Sequence, residues 1–79
     1  MSPTIFRAEG LRFFFFSREE ERIHVHVMSA DGEAKVRIEP SIELARNHGL
    51  GRKALGIALT LIEEREDEIR QAWHDHFGR

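Results

Sequence analysis

An α+β fold, an antiparallel sheet of four to five short strands packed on one long C-terminal α-helix, is predicted by three features of the sequence. Between residues 4 and 47, short apolar segments alternate with polar residues at the period of a strand. Ala8-Glu9-Gly10 and Asp31-Gly32 supply turn chemistry between those segments. From Arg52 to Phe77 the apolar spacing changes to three, four and seven, which is the period of a helix.

Taken in order, Ile5-Phe6-Arg7 forms a first short strand, and Gly10 in the following turn is free to take positive φ. Leu11 to Phe16 forms a second strand and carries four consecutive phenylalanines. Ser17 to Arg22 is a charged, solvated connection. Ile23 to Val27 alternates strictly as a third strand, and Asp31-Gly32 turns it into a fourth, Ala34 to Ile38. Pro40, which has no N–H to donate, stops that strand. Ser41 to His48 reads as a fifth, short strand through the alternation of Ile42 and Leu44 with Glu43 and Ala45; a two-turn helix capped by Ser41 is the other reading. Gly49-Leu50-Gly51 breaks the chain, with Gly51 a weak N-cap. Leu55, Leu59, Ile62, Ile69, Trp73 and Phe77 then share one helical stripe, which Gly56 and Glu66 interrupt, Glu66 at a bend or sheet edge.

Seventy-nine residues hold a single domain, 1–79. A chain of this size buries only about 60% of its unfolded surface, so its stability falls near 4–12 kcal/mol. With 41% hydrophobic and 33% charged residues the composition is that of a globular protein. There is no cysteine, which excludes disulfides and thiolate metal sites. The longest apolar run, Phe13–Phe16, is far shorter than a membrane span, and no signal-peptide pattern opens the chain; a cytoplasmic location is the expectation. Twelve Lys and Arg against fourteen Asp and Glu argue against strong non-specific nucleic-acid binding, though not against a local basic patch.

Strand parity places the candidate function. Ile23, Val25 and Val27 share one side of the third strand, His24 and His26 the other; Ala34, Val36 and Ile38 oppose Lys35, Arg37 and Glu39 on the fourth. Pairing like faces yields an aliphatic face for the helix and an opposite face carrying His24, His26, Lys35 and Arg37. On the second strand Phe13 and Phe15 point one way, and Phe14 and Phe16 the other with Arg12. One pair lies under the helix, and the remaining rings join the histidines and cations. Two exposed rings cost about 1.5–3 kcal/mol each, so this surface, Arg12 and Phe13–Phe16 with His24, His26, Lys35 and Arg37, is expected to be covered by a second protein chain, a ligand or a loop of the same chain.

Three chemistries compete with plain surface polarity. His24 and His26, about 6.6 Å apart at Cα on one strand, offer two metal ligands, but zinc wants at least three and no third is set by spacing. With Lys35 and Arg37 they also supply general acid–base groups beside phosphate-stabilising cations, the outline of an RNA-cleaving site. No nucleophile elbow or Gly-rich phosphate loop accompanies them. His74 and His76, two apart on a helix, diverge and cannot chelate one ion. No cofactor is indicated.

Several motifs, in register over nearly the whole chain, carry a resemblance: Pro3-Thr4-Ile5-Phe6-Arg7, Gly10 to Ser17, His24-Val25-His26-Val27, Glu33-Ala34-Lys35-Val36, Asn47-His48-Gly49-Leu50 and Ala72 to Phe77. Together they resemble the small bacterial domain-of-unknown-function family DUF4160. The resemblance implies an encoded neighbour, another small protein, in pairs similar to toxin–antitoxin modules, and hence a non-enzymatic interaction module with a protein partner or self-association. The family pattern carries two prolines before the first histidine where this chain has Arg22-Ile23, which leaves the orientation of His24 without that support. It also carries a polar helix cap where Gly51 stands.

Overall fold

A computed structural model describes residues 4–15 and 22–78. Five strands form one antiparallel meander, ordered β1 (Thr4–Ala8), β2 (Leu11–Phe14), β3 (His24–Met28), β4 (Glu33–Arg37), β5 (Glu43–His48). Two helices follow, α1 (Arg52–Glu64) and α2 (Glu66–Phe77). Every strand expected from alternation is present, and Ser41–His48 resolves to strand, not helix. Phe16 and the charged connection over 17–21 lie outside the described residues.

Turn chemistry sets the register at both hairpins, by different means. Ala8 pairs with Leu11, leaving Glu9 and Gly10 as a two-residue connection with φ of 53° and 77°. Left-handed torsions at both positions match the twist of the flanking strands, but Glu9 bears a Cβ penalty that glycine avoids. Glu9→Asn, which creates the preferred Asn-Gly pair, is therefore expected to raise stability by about 0.5–1 kcal/mol, measured as an increased urea midpoint at unchanged slope. The second hairpin is wider than Asp31-Gly32 alone implies. Met28 pairs with Glu33, Ser29 N–H donates to the Gly32 carbonyl at 2.9 Å, and Gly32 has no positive φ. Its missing side chain serves a close approach instead: a Cβ there would lie 2.7 Å from the Gly49 carbonyl carbon.

The helices cover one face of the sheet. Phe13, Phe15, Ile23, Val25, Val27, Ala34, Val36 and Ile38 are buried with Ala58, Ile62, Ile69 and Trp73 in a single core. Phe6 stacks on Phe13 with centroids 4.3 Å apart, so the first two strands close that layer. Of the helical stripe, Ile62, Ile69 and Trp73 form the centre; Leu55, Leu59 and Phe77 pack at its margin, and Ala58 fills the middle of α1.

One long helix was the expectation, and two are found. Arg65 leaves the helical region (φ −113°, ψ 25°), although Arg65 N–H still reaches the Leu61 carbonyl and Ile69 N–H the Arg65 carbonyl. Glu66, four residues after Ile62 and three before Ile69, is the charged position of the stripe and follows the break directly. It accepts from Arg70 Nε at 2.8 Å, and the Arg65 guanidinium lies 4.4 Å over the Phe6 ring. Arg70 also reaches Glu39 at 3.1 Å, and Glu39 accepts from Ile23 N–H, so α2 is tied to the ends of β3 and β4. The Glu66 hydrogen bond above all, then Glu39, raises the Arg70 pKa despite partial desolvation. With all three side chains about a third exposed or more, the ties are each worth about 0.2–1 kcal/mol.

Between β5 and α1 the break is built by Asn47 and Gly49. The Asn47 side chain donates to the Leu50 carbonyl at 2.9 Å and accepts from Leu50 N–H at 3.1 Å, while Gly49 takes φ 97°. Gly51 stands at the N-cap without a side-chain bond, as expected of glycine. No helix among the described residues is long and apolar enough to cross a membrane.

Candidate functional site

Register carries the polar face across all five strands. Phe14 pairs with His26, His26 with Lys35, and Lys35 with Arg46. One row along, His24 pairs with Arg37 and Arg37 with Glu43. In the other direction Arg7, Arg12, Met28, Glu33 and His48 follow one another. Among the described residues, the face opposite the helices thus collects Arg7, Arg12, Lys35, Arg37 and Arg46 against two carboxylates, Glu33 and Glu43. The helices carry the reverse balance, with Glu63, Glu64, Glu66, Asp67, Glu68 and Asp75 against Arg52, Lys53, Arg65 and Arg70. The described residues of a chain of net charge −2 are therefore polarised, basic on the sheet and acidic on the helices.

The phenylalanines sort by parity but not by exposure. Phe13 and Phe15 are the pair under the helices. Phe14 lies on the polar face, a choice between the two pairs that parity left open, yet it is only 2% exposed. The Arg12 guanidinium sits 4.4 Å over its ring, and the His26 imidazole stacks on it at 5.5 Å. Arg12 is itself held by a 2.8 Å hydrogen bond from its Nε to Thr4 Oγ1. The expectation that the rings opposite the helices stand exposed and require a partner is corrected for Phe14, which is buried within the chain with a cation over its ring and an imidazole stacked on it.

The histidines are corrected in the same sense. His24 is 3% and His26 7% exposed, so neither is a surface side chain. Their rings meet edge-on at 5.2 Å, and His24 packs edge-on against Trp73 at 5.6 Å. His24 Nδ1–H donates to the Arg22 carbonyl at 3.1 Å, which leaves Nε2 as its second polar atom. Arg22 thus orients His24 through its backbone carbonyl. Among the described residues no group of three His, Asp or Glu can hold a metal ion, and His74 and His76 stand exposed on α2.

Depressions mark the polar face. One of about 460 Å³ is lined by Arg7, Gly10, Leu11, Arg12, Met28, Ser29 and Ala30. Another of about 380 Å³ is lined by Arg22, His24, Lys35 and Arg37. A smaller one of about 80 Å³ is lined by His26, Glu33, Ala34, Lys35, Arg46 and His48. The structure so brings His24, Lys35 and Arg37 together as parity indicates, and places His26 on the far side of Lys35. Arg7, Arg22, Arg46 and His48 join the face unforeseen. Arg46 and His48 were legible only with the β5 bulge, where Lys35 pairs with Arg46 and Val36 with Leu44; without that extra residue their parity reads reversed.

No curated protein and no solved structure matches the chain. The family model described as "Domain of unknown function (DUF4160)" matches residues 10–74, a span that holds β2 to β5, α1 and most of α2, with the depressions at Arg37 and Arg46 inside it. The chain belongs to the DUF4160 family.

Proposed function

We propose that this chain is a non-enzymatic interaction module that docks an acidic protein partner against the basic face of its sheet. The observation that carries the reading is the charge polarisation: Arg7, Arg12, Lys35, Arg37 and Arg46 share one face of a molecule whose helices are acidic. Complementary charge fixes which face of a partner is met and speeds encounter more than it adds raw affinity. Enclosed Phe14 favours a polar, salt-sensitive interface over an apolar one. The partner fitting this reading is a small acidic protein encoded beside the chain in a paired, toxin–antitoxin-like arrangement in the cytoplasm.

The experiment is co-expression with the product of the adjacent gene, followed by light scattering on the eluted peak. A stoichiometric complex that weakens steeply as salt rises supports docking. A monomer indifferent to its neighbour counts against it.

RNA cleavage is the second reading, and the meeting of His24, Lys35 and Arg37 with Arg22 favours it. Its weakness is the burial of both histidines, which distances them from a ribose hydroxyl. Growth arrest and RNA degradation on expression, lost in His24→Ala/His26→Ala, would support it; harmless expression sinks it.

A further inference from the structure

We infer that the outer edge of β5 pairs with β5 of a second copy of this chain, antiparallel about a two-fold axis, joining two sheets into one. Among the described residues β5 ends the sheet, and a terminal strand presents a row of N–H and C=O groups able to template another strand. All six of its residues, Glu43–His48, are exposed. The opposite end strand differs, since β1 buries Phe6 and half-buries Ile5 and Ala8. Leu44, 42% exposed, pairs with buried Val36 and so lies on the helix side of the sheet. The edge is also ordered from within: its ladder to β4 runs from Glu43 to His48, and Asn47 fixes the far end through both bonds to Leu50. A strand already held in place loses little freedom on pairing.

Charge selects the occupant. Glu43, Arg46 and His48 share the polar face, opposite Arg37, Lys35 and Glu33 in turn. Only the bulge at Ala45 brings Glu43 and Arg46, three residues apart, to one side. The strand thus carries its acid at the start and its bases towards the end. Antiparallel pairing about an axis near Ala45 sets each copy's Glu43 within cross-strand reach of the other's Arg46, two ion pairs for one axis. Parallel pairing in register sets Arg46 against Arg46 instead. Within one copy Arg46 stands directly opposite Lys35, a like-charged pair that costs stability; a partner carboxylate on the outer side of Arg46 offsets that repulsion. Glu43 accepts from Ser41 Oγ at 2.9 Å, and a carboxylate has acceptor sites for an arginine beside that bond. The same axis brings Leu44 of the two copies near one another. The inference does not rest on the docking reading, since it uses the strand edge and needs no other protein.

The test is sedimentation of the purified full chain alone, from about 1 µM to about 1 mM, the span of a small edge contact. A concentration-dependent dimer is expected, with the amide resonances of β5 shifting in step with the dimer fraction. Glu43→Arg and Arg46→Glu, both of exposed side chains, should each weaken the dimer by at least about tenfold, because each sets like charges together twice. Mixed in equal amounts, the two variants should pair with one another at near wild-type strength, since the reversed charge of each meets its opposite in the other. Loss of folding in either variant is not rescued by mixing. A chain still monomeric at about 1 mM, a dimer whose β5 resonances stay fixed, single variants that dimerise as the wild type, or a mixture that stays monomeric overturns the inference. None of these results touches the partner-docking reading.

Discussion

Trp73→Ala is expected to cost about 3–5 kcal/mol, the range for emptying a large buried aromatic position. Set against a stability of about 4–12 kcal/mol for a domain this size, the variant should be partly unfolded near 37 °C. Trp73 is 1% exposed and packs against three aromatic side chains at the end of the core. Phe15 meets it edge-on at 5.2 Å, Phe77 at 4.4 Å, and His24 at 5.6 Å from the polar side of β3. Removing it releases the end of α2 and the ring that orients His24. The check is thermal unfolding by far-UV circular dichroism, since the variant has no tryptophan to follow. A midpoint lowered by about 15 °C or more is expected, given about 4–8 °C per kcal/mol for a domain of 60–100 residues. Trp73→Phe should recover most of the loss. A fall of only a few degrees in Trp73→Ala would show that α2 is held by other contacts.

Gly32→Ala carries the second large effect. The torsions of Gly32 are open to any residue, so the usual argument for glycine in a turn does not apply. A Cβ would meet the His48 carbonyl oxygen and the Gly49 backbone, 2.7 Å from its carbonyl carbon, and backbone cannot step aside as a flexible side chain can. Relief requires moving the β5–α1 connection, which disturbs the Glu33–His48 pairing and the Asn47–Leu50 bonds together. A loss of about 1–3 kcal/mol is expected, as for other overpacked sites. Gly56→Ala is the control. Gly56 lies within α1 with open space where a Cβ would go, so the same substitution should stabilise by about 0.5–1 kcal/mol. Paired denaturant titrations of the two variants, shifting in opposite directions, check both arguments at once.

What could be read from the residues follows from the period of each element. Alternation placed Val25, Val27, Ala34 and Val36 in the core and His24, His26, Lys35 and Arg37 on the other face, because a strand admits only two sides. The helical stripe found Ile62, Ile69 and Trp73 by the same kind of count. The interruption of the stripe at Glu66 marked a bend or sheet edge, and the break at Arg65 falls beside it. Two things escaped the count. Burial of Phe14 depends on where the long Arg12 side chain comes to rest, which parity does not encode. The place of Arg46 on the basic face depends on a bulge in β5, where one extra residue reverses the count. Asp31-Gly32 marked the right hairpin for the wrong reason, since its glycine serves contact with Gly49 rather than a left-handed turn.

Charge reversal on each face separately measures whether the basic sheet is the docking surface. Arg37→Glu/Arg46→Glu and, as the counterpart, Glu63→Lys/Glu64→Lys alter half-buried or exposed side chains of the two faces and should leave the circular dichroism spectrum unchanged. Affinity for the co-expressed neighbour is then compared by titration at one fixed salt concentration. The sheet variant is expected to lose at least about two orders of magnitude, in line with the 2–5 kcal/mol set by close charge pairs at interfaces, and the helix variant to bind as the wild type. Loss in the helix variant with the sheet variant unaffected would contradict the assignment of the docking face.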